Sequence, residues 1–338
     1  MKSRGYFSRQ FDTLSLYLFL LFSGFAILIA LADRAPLELE TVANDVLISE
    51  RFVYYWQGVV FRFFPGPYVY RILIPYLLWG INRLTTIDLI SIDLITKIVL
   101  ILLAQFTLFR YLFLFFKKLP SLLGVFIFNA LLGFLLSFIK GPSVIETIDL
   151  LNIVVITVGL IAIFKKEWLL LGVVLLVGLL NRETPLILLP VLFLYESRGD
   201  KKIGPMLVVS LIALAAFLLP RLMIPVSGEA TWLAPIELLA NLPIPGNENP
   251  REALIANVRL AILIGPLLII GLLRFSEQPA FLKLAAYMLP VLIAIHFTTG
   301  RIIETRLWLP IFPFLIPLSI HNLSRLAKLR DTKRSTRA

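Results

Sequence analysis

Residues 168–195 read WLLLGVVLLVGLLNRETPLILLPVLFLY, two apolar runs, Trp168–Leu180 and Leu186–Tyr195, parted by Asn181-Arg182-Glu183-Thr184-Pro185. The fold turns on this interruption. Each run is short for a membrane crossing, which takes about 20 apolar residues, so the two form a hairpin or a pair of short spans. An arginine near a bilayer centre costs roughly 2.5–3.5 kcal/mol on insertion scales, so ionisable residues at that depth face protein or water and mark a working cavity. The plainer reading is an Arg182–Glu183 pair capping a broken helix, with Pro185 starting the next one, where its missing N–H is no loss. Short or broken helices are tolerated at membrane depth where they line a cavity.

Working outward, the composition agrees with a membrane setting. The chain of 338 residues is 59% hydrophobic and 16% charged, with a mean hydropathy of +0.91, whereas soluble domains are about 45–50% apolar. Repeated apolar runs of spanning length imply one integral membrane domain with no soluble module attached. A net charge of +11 would point to nucleic acid in a soluble protein. Here much of it falls at expected cytoplasmic ends and reads as topology and anionic-lipid contact, with no nucleic-acid partner. The absence of cysteine rules out disulfides, thiolate metal sites and cysteine nucleophiles. His296 and His321, each expected at a helix end, are too few for a histidine-rich metal site. A carboxylate-bound Mg²⁺ or Mn²⁺ stays open, and no other cofactor is implied.

Loop charges order the spans. Lys2, Arg4 and Arg9 precede the apolar run Thr13–Leu31, which exceeds the signal-peptide core of about 7–15 residues and reads as an uncleaved first span. Residues 32–91 form an outer loop that carries Asp33, Glu38, Glu40, Asp45, Glu50 and Asp88 against arginines only. Phe52–Phe64 and Tyr68–Asn82 within it read as interfacial helices, their aromatics an interfacial belt. Counting Tyr68–Asn82 as a full span would put Lys117-Lys118 outside and invert every later loop, against the positive-inside rule. The bundle, residues 92–322, then runs through Ile92–Phe116, Pro120–Ile139, Ile148–Phe164, the short pair, Ile203–Ile224, Leu254–Leu273, Phe281–Phe297 and Ile302–Ile320. Pro225–Ala253 is an outer loop of a composition suited to a lid. The membrane domain covers residues 1–324, and residues 325–338 are a basic cytoplasmic tail. The fold class is therefore all-α, a polytopic transmembrane bundle of about ten spans with both termini cytoplasmic.

Under this topology four charged groups meet on the outer side: the acids of the first loop, Arg71, Arg182-Glu183, and Arg301 with Glu304 and Arg306. Arg301 and Glu304 stand three apart and are expected to fall on one helix face. Arginine binds phosphate oxygens bidentately and stays charged when desolvated, so this set suits a phosphate on a lipid headgroup beside a polar acceptor. Each member also has an ordinary reading. Arg301 and Arg306 anchor a helix end in headgroups equally well, Arg71 taken alone reads first as an ordinary interfacial arginine, and Asp33 and Glu38 read first as solvated loop charges.

Tyr70-Arg71-Ile72-Leu73-Ile74-Pro75, Asn181-Arg182-Glu183-Thr184 and Glu304-Thr305-Arg306, set in this layout, resemble elements of small bacterial membrane proteins related to the GT-C superfamily of polyprenyl-phosphate-sugar-dependent glycosyltransferases. The resemblance implies a GT-C-like fold in a bacterial cytoplasmic membrane. It implies a polyprenyl-phosphate-sugar donor, a glycan, lipid or protein acceptor, and contact with membrane lipids. A first-loop carboxylate would be the general base, here Asp45, Asp33 or Glu50 in that order. Arg71, Arg182, Arg301 and Arg306 would hold the donor phosphate, supported by Glu183 and Glu304. The sequence departs from the superfamily pattern in lacking a clear Asp-Glu pair after the first span. A transporter or flippase for lipid-linked sugars or anionic solutes, and a non-catalytic GT-C-like membrane protein, are the alternatives. Polar residues gathered on one side rather than along a through-path favour the enzyme.

Overall fold

The structure is a computed structural model that describes residues 20–25, 27–29, 59–61, 68–138, 147–198, 203–224, 238–244, 249–300 and 304–335. Every regular element among them is helical. A 3₁₀ turn at Tyr68–Tyr70 leads into α1 (Leu73–Leu84), followed by α2 (Leu89–Leu112), α3 (Lys118–Phe138), α4 (Thr147–Lys165) and α5 (Trp168–Asn181). After a 3₁₀ turn at Thr184–Ile187 come α6 (Leu188–Glu196), α7 (Ile203–Met223), the single turn α8 (Leu238–Asn241) and α9 (Pro250–Leu272). Then α10 (Ala280–Ala286), α11 (Met288–Thr299), a 3₁₀ segment Thr305–Ile311 and α12 (Phe312–Ser335) complete the chain.

Among the described residues seven helical stretches are long and apolar enough to cross a membrane, namely α2, most of α3, α4, α7, α9, α10 with α11, and Arg306–Leu326. Such helices support an integral membrane protein. Two of them, α4 and Arg306–Leu326, are the most enclosed, while α7 leaves Leu207, Leu211, Leu214 and Leu222 exposed, as a lipid-facing helix does.

Local chemistry explains several boundaries. Asp88 caps α2, its carboxylate accepting from the Ser91 amide at 2.9 Å and the Ser91 hydroxyl at 2.6 Å. Those bonds hold the Asp88 carboxyl below its ordinary range, because they favour the charged form. At the interruption the backbone leaves helix at Arg182, with φ −164°, and Pro185 lies in the first turn of the next segment, as the plainer reading expects. Gly178 makes this tight turn possible: a Cβ there would lie 2.9 Å from Pro185 Cγ and against Val155 of α4.

Two groups of contacts define opposite ends of the bundle. At one end Phe115, Phe164, Tyr195 and Phe281 pack ring on ring. There Lys166 pairs with Glu196 at 3.1 Å, and Asn322 donates to Ile270 O at 2.6 Å. At the other end Asn241 of α8 donates to Phe297 O and Gly300 O at 2.7 and 2.6 Å. Asn257 of α9 donates to Asn241 O at 2.9 Å.

The structure departs from the sequence expectations in three places. Phe281–Phe297 is two helices rather than one, parted at Tyr287, because Pro290 has no N–H to continue the ladder. The last span does not begin as a regular helix at Ile302. Residues 305–311 are 3₁₀, with Pro310 inside the segment and Glu304 in non-helical backbone ahead of it, so Glu304 is not on a helix face. The last helix also continues to Ser335 rather than ending at Ile320, which leaves His321 within α12 and not at a helix end. Ala, Leu, Lys and Arg are strong helix formers, so polarity marks where a span leaves the membrane and not where its helix stops. Only residues 20–25 and 27–29 of the first span and 59–61 of Phe52–Phe64 are described, and most of the expected lid lies outside the described residues.

Candidate functional site

Two element starts and one turn between helices deliver charge to the end of the bundle marked by Asn241. The first is the start of α4, where Asp149 falls in the opening turn. The second is the α5–α6 turn with Arg182 and Glu183, and the third is Glu304 with the 3₁₀ segment behind it. Arg71, just after the Tyr68–Tyr70 turn, and Arg221, in the last turn of α7, join them.

Arg182 and Glu183 take separate partners. The Arg182 guanidinium donates to Asp149, 33 residues earlier, and both side chains are buried. The other Asp149 oxygen lies 4.0 Å from Arg306 Nε, and Arg306 donates to Glu304 at 3.0 Å. Glu183 receives Arg221 at 2.8 Å and lies 3.6 Å from Arg71. Arg221 is fixed further by donating to Phe217 O at 2.9 Å and by lying over the Phe217 and Tyr70 rings, 3.8 and 4.9 Å from their centroids. Arg182 and Glu183 are consecutive, so the two chains of ion pairs meet at this turn and form one electrostatic unit. Among the described residues it holds four guanidiniums against three carboxylates, an excess of one positive charge in an enclosed setting. Such a unit attracts an anion more strongly than the same charges in water, because the low local dielectric amplifies each interaction.

Of the residues singled out from sequence, Arg71, Arg182, Glu183, Glu304 and Arg306 are thus brought together. Arg301, Asp33, Asp45 and Glu50 lie outside the described residues. Sequence reasoning passed over Asp149 and Arg221, which tie the others together. It also passed over a buried pair nearby on α2, where Lys97 lies 3.1 Å from Asp93 and Asp93 accepts from Thr147 of α4. The usable signal was an acid or base at the edge of an apolar run, the same signal that drew attention to Arg182. Among the described residues no group of three or more His, Asp or Glu side chains is placed to hold a metal ion, so these residues supply no set of ligands for the Mg²⁺ or Mn²⁺ left open above.

Deeper in the same region His296 of α11 meets Trp308 edge-on, ring centroids 5.7 Å apart. The charge of Arg182 reaches His296. Asn181 donates to Ile148 O at 2.9 Å, which ties the end of α5 to the start of α4 beside Asp149. No family model matches the chain, and no match is found among curated proteins or solved structures.

Proposed function

We propose that this protein is a membrane glycosyltransferase of GT-C-like fold that moves a sugar from a polyprenyl-phosphate carrier to an acceptor at the outer face of a bacterial cytoplasmic membrane. The observation that carries this reading is the convergence of Arg71, Arg182 and Arg306, distant in sequence, on one enclosed positive unit. The seven long apolar helices, the short pair of helices and the first apolar run together fit the ten-span topology. In the reaction the arginines stabilise phosphate charge that grows on the leaving group, and a first-loop carboxylate accepts the acceptor hydroxyl's proton. Asp45 is the first choice for that base, ahead of Asp33 and Glu50, because it lies far enough along the loop to fold back over the bundle. The new glycosidic bond forms as the sugar–phosphate bond breaks, and the freed polyprenyl phosphate leaves.

The test is transfer of labelled sugar from a panel of polyprenyl-phosphate sugars, with donor binding measured separately. Asp45→Asn should keep donor binding and lower transfer by about 10²–10⁴-fold, since an amide cannot take the proton. Unchanged transfer in Asp45→Asn, Asp33→Asn and Glu50→Gln would remove the base assignment. A second reading, a non-catalytic or transporting protein, is favoured by one observation: Arg71, Arg182, Arg221 and Arg306 each already face a carboxylate. Saturable donor binding with no transfer by the wild type would support it.

A further inference from the structure

Just inside the arginine cluster, buried polar atoms gather without partners. Asp149 Oδ2, Asn152 Oδ1 and Nδ2, Asn181 Oδ1, His296 Nε2 and Trp308 Nε1 have no hydrogen-bond partner among the described residues. All five side chains are at most 6% exposed. Buried polar groups are nearly always hydrogen-bonded, so these atoms are completed by ordered water or by a polar ligand that takes its place.

Their placement is consistent with one site. Asn152 lies three residues beyond Asp149 on α4, close to the same helix face. Asn181 is tied to Ile148 O at 2.9 Å, which sets its free oxygen beside the Asp149 turn. Trp308 belongs to the 3₁₀ segment that packs on α4 and carries Arg306 to within 4.0 Å of Asp149. His296 lies against Trp308, ring centroids 5.7 Å apart.

The chemistry of the orphan atoms selects the ligand. Three are acceptor oxygens, Asn152 Nδ2 and Trp308 Nε1 are donors, and His296 Nε2 takes either role. Ionised phosphate oxygens only accept, so a phosphate cannot satisfy the three acceptors, and the Asp149 carboxylate repels it. A hydroxyl both donates and accepts, so several on one small ring match the mixed set.

We propose that Asp149, Asn152, Asn181, His296 and Trp308 form a subsite for a neutral polyhydroxyl group, a sugar ring, directly inside the arginines. Identifying that ring with the sugar of the lipid-linked donor rests on the function proposed above, whereas recognition of a polyol rests on the orphan atoms alone.

The test uses the full chain in lipid nanodiscs. The probes are undecaprenyl phosphate, the same lipid carrying glucose, mannose, galactose or N-acetylglucosamine, and the methyl glycosides of those sugars. Wild type should bind at least one sugar-bearing lipid tenfold or more tightly than the bare lipid, or bind a methyl glycoside saturably. Asn152→Leu, which keeps the branched shape, and Trp308→Phe, which keeps an aromatic ring, delete the polar atoms and should abolish that gain and leave bare-lipid affinity unchanged. Both positions are enclosed, so thermal unfolding is measured for each variant, and loss of the gain in either folded variant supports the subsite. No sugar-dependent binding by the wild type in either form, or a gain that survives both substitutions, overturns it. Failure of the proposed function looks different: bare undecaprenyl phosphate does not bind, while methyl glycosides do.

Discussion

Asp149 and Arg182 are the residues on which the polar end depends, each needing the other. Taking a carboxylate into an enclosed site is tolerable only with a partner, and removing one member of a buried pair typically costs about 3–5 kcal/mol. Arg182→Ala should therefore lower stability by about that much, and adding Asp149→Asn should recover a large part of it, because the stranded charge is then gone. Thermal unfolding in detergent would show both, and a wild-type melting point in Arg182→Ala would mean that the pair is not formed. Arg182 was legible in the sequence because a guanidinium between two apolar runs is costly at membrane depth. Asp149 was not, since an acid at the mouth of a span is ordinary, and nothing local points to a partner 33 residues away. Arg221 escaped for the same reason: in the last turn of α7 it offsets the helix dipole, so its own sequence context already explains it.

Among the elements, α5 and α6 with their turn set the geometry of the site. The 14 residues of α5 rise only about 21 Å at 1.5 Å each, less than the hydrocarbon thickness of about 30 Å. Arg182 and Glu183 therefore stay within the protein rather than emerging beyond it. The turn closes tightly because Gly178 offers no side chain to Pro185 and Val155. Gly178→Leu should cost about 1–3 kcal/mol by overpacking and loosen the Arg182–Asp149 contact. Unfolding would register the loss, and a fully stable Gly178→Leu protein would show that the turn has slack. The helices as such were legible from apolar run length, and the opening of the next segment from Pro185. Their ends were less so. Pro290 and Pro310 break regularity inside stretches that remain apolar, and the α12 extension to Ser335 is helical without being hydrophobic. Hydropathy reports what a segment touches, and proline content reports whether its ladder can continue; the two disagree where the boundaries moved.

At the scale of the whole molecule, the two ends differ in kind. Lys117, Lys118, Lys165, Lys166 and Arg198 gather at the end where Lys166 meets Glu196, and the interlocked arginines and carboxylates occupy the other. By the positive-inside rule, we propose that the first end faces the cytoplasm. Single cysteines in this cysteine-free chain provide the check: at Lys117 or Lys165 they should resist an impermeant reagent in intact cells, and at Glu40 or Glu248 they should react. Labelling in the opposite sense would move the polar end to the cytoplasmic face. If this end holds a lipid-linked phosphate, as proposed, the purified protein in nanodiscs binds undecaprenyl phosphate, and its affinity is the quantity to measure. Arg71→Gln and Arg306→Gln change the less enclosed guanidiniums. Each should weaken binding by about 10- to 100-fold, as the loss of a charge-assisted phosphate contact worth about 1.5–3 kcal/mol requires. Lysine at either position should restore only part of it, because an ammonium cannot reproduce the planar fork. Wild-type affinity in folded Arg71→Gln/Arg306→Gln protein would contradict the account.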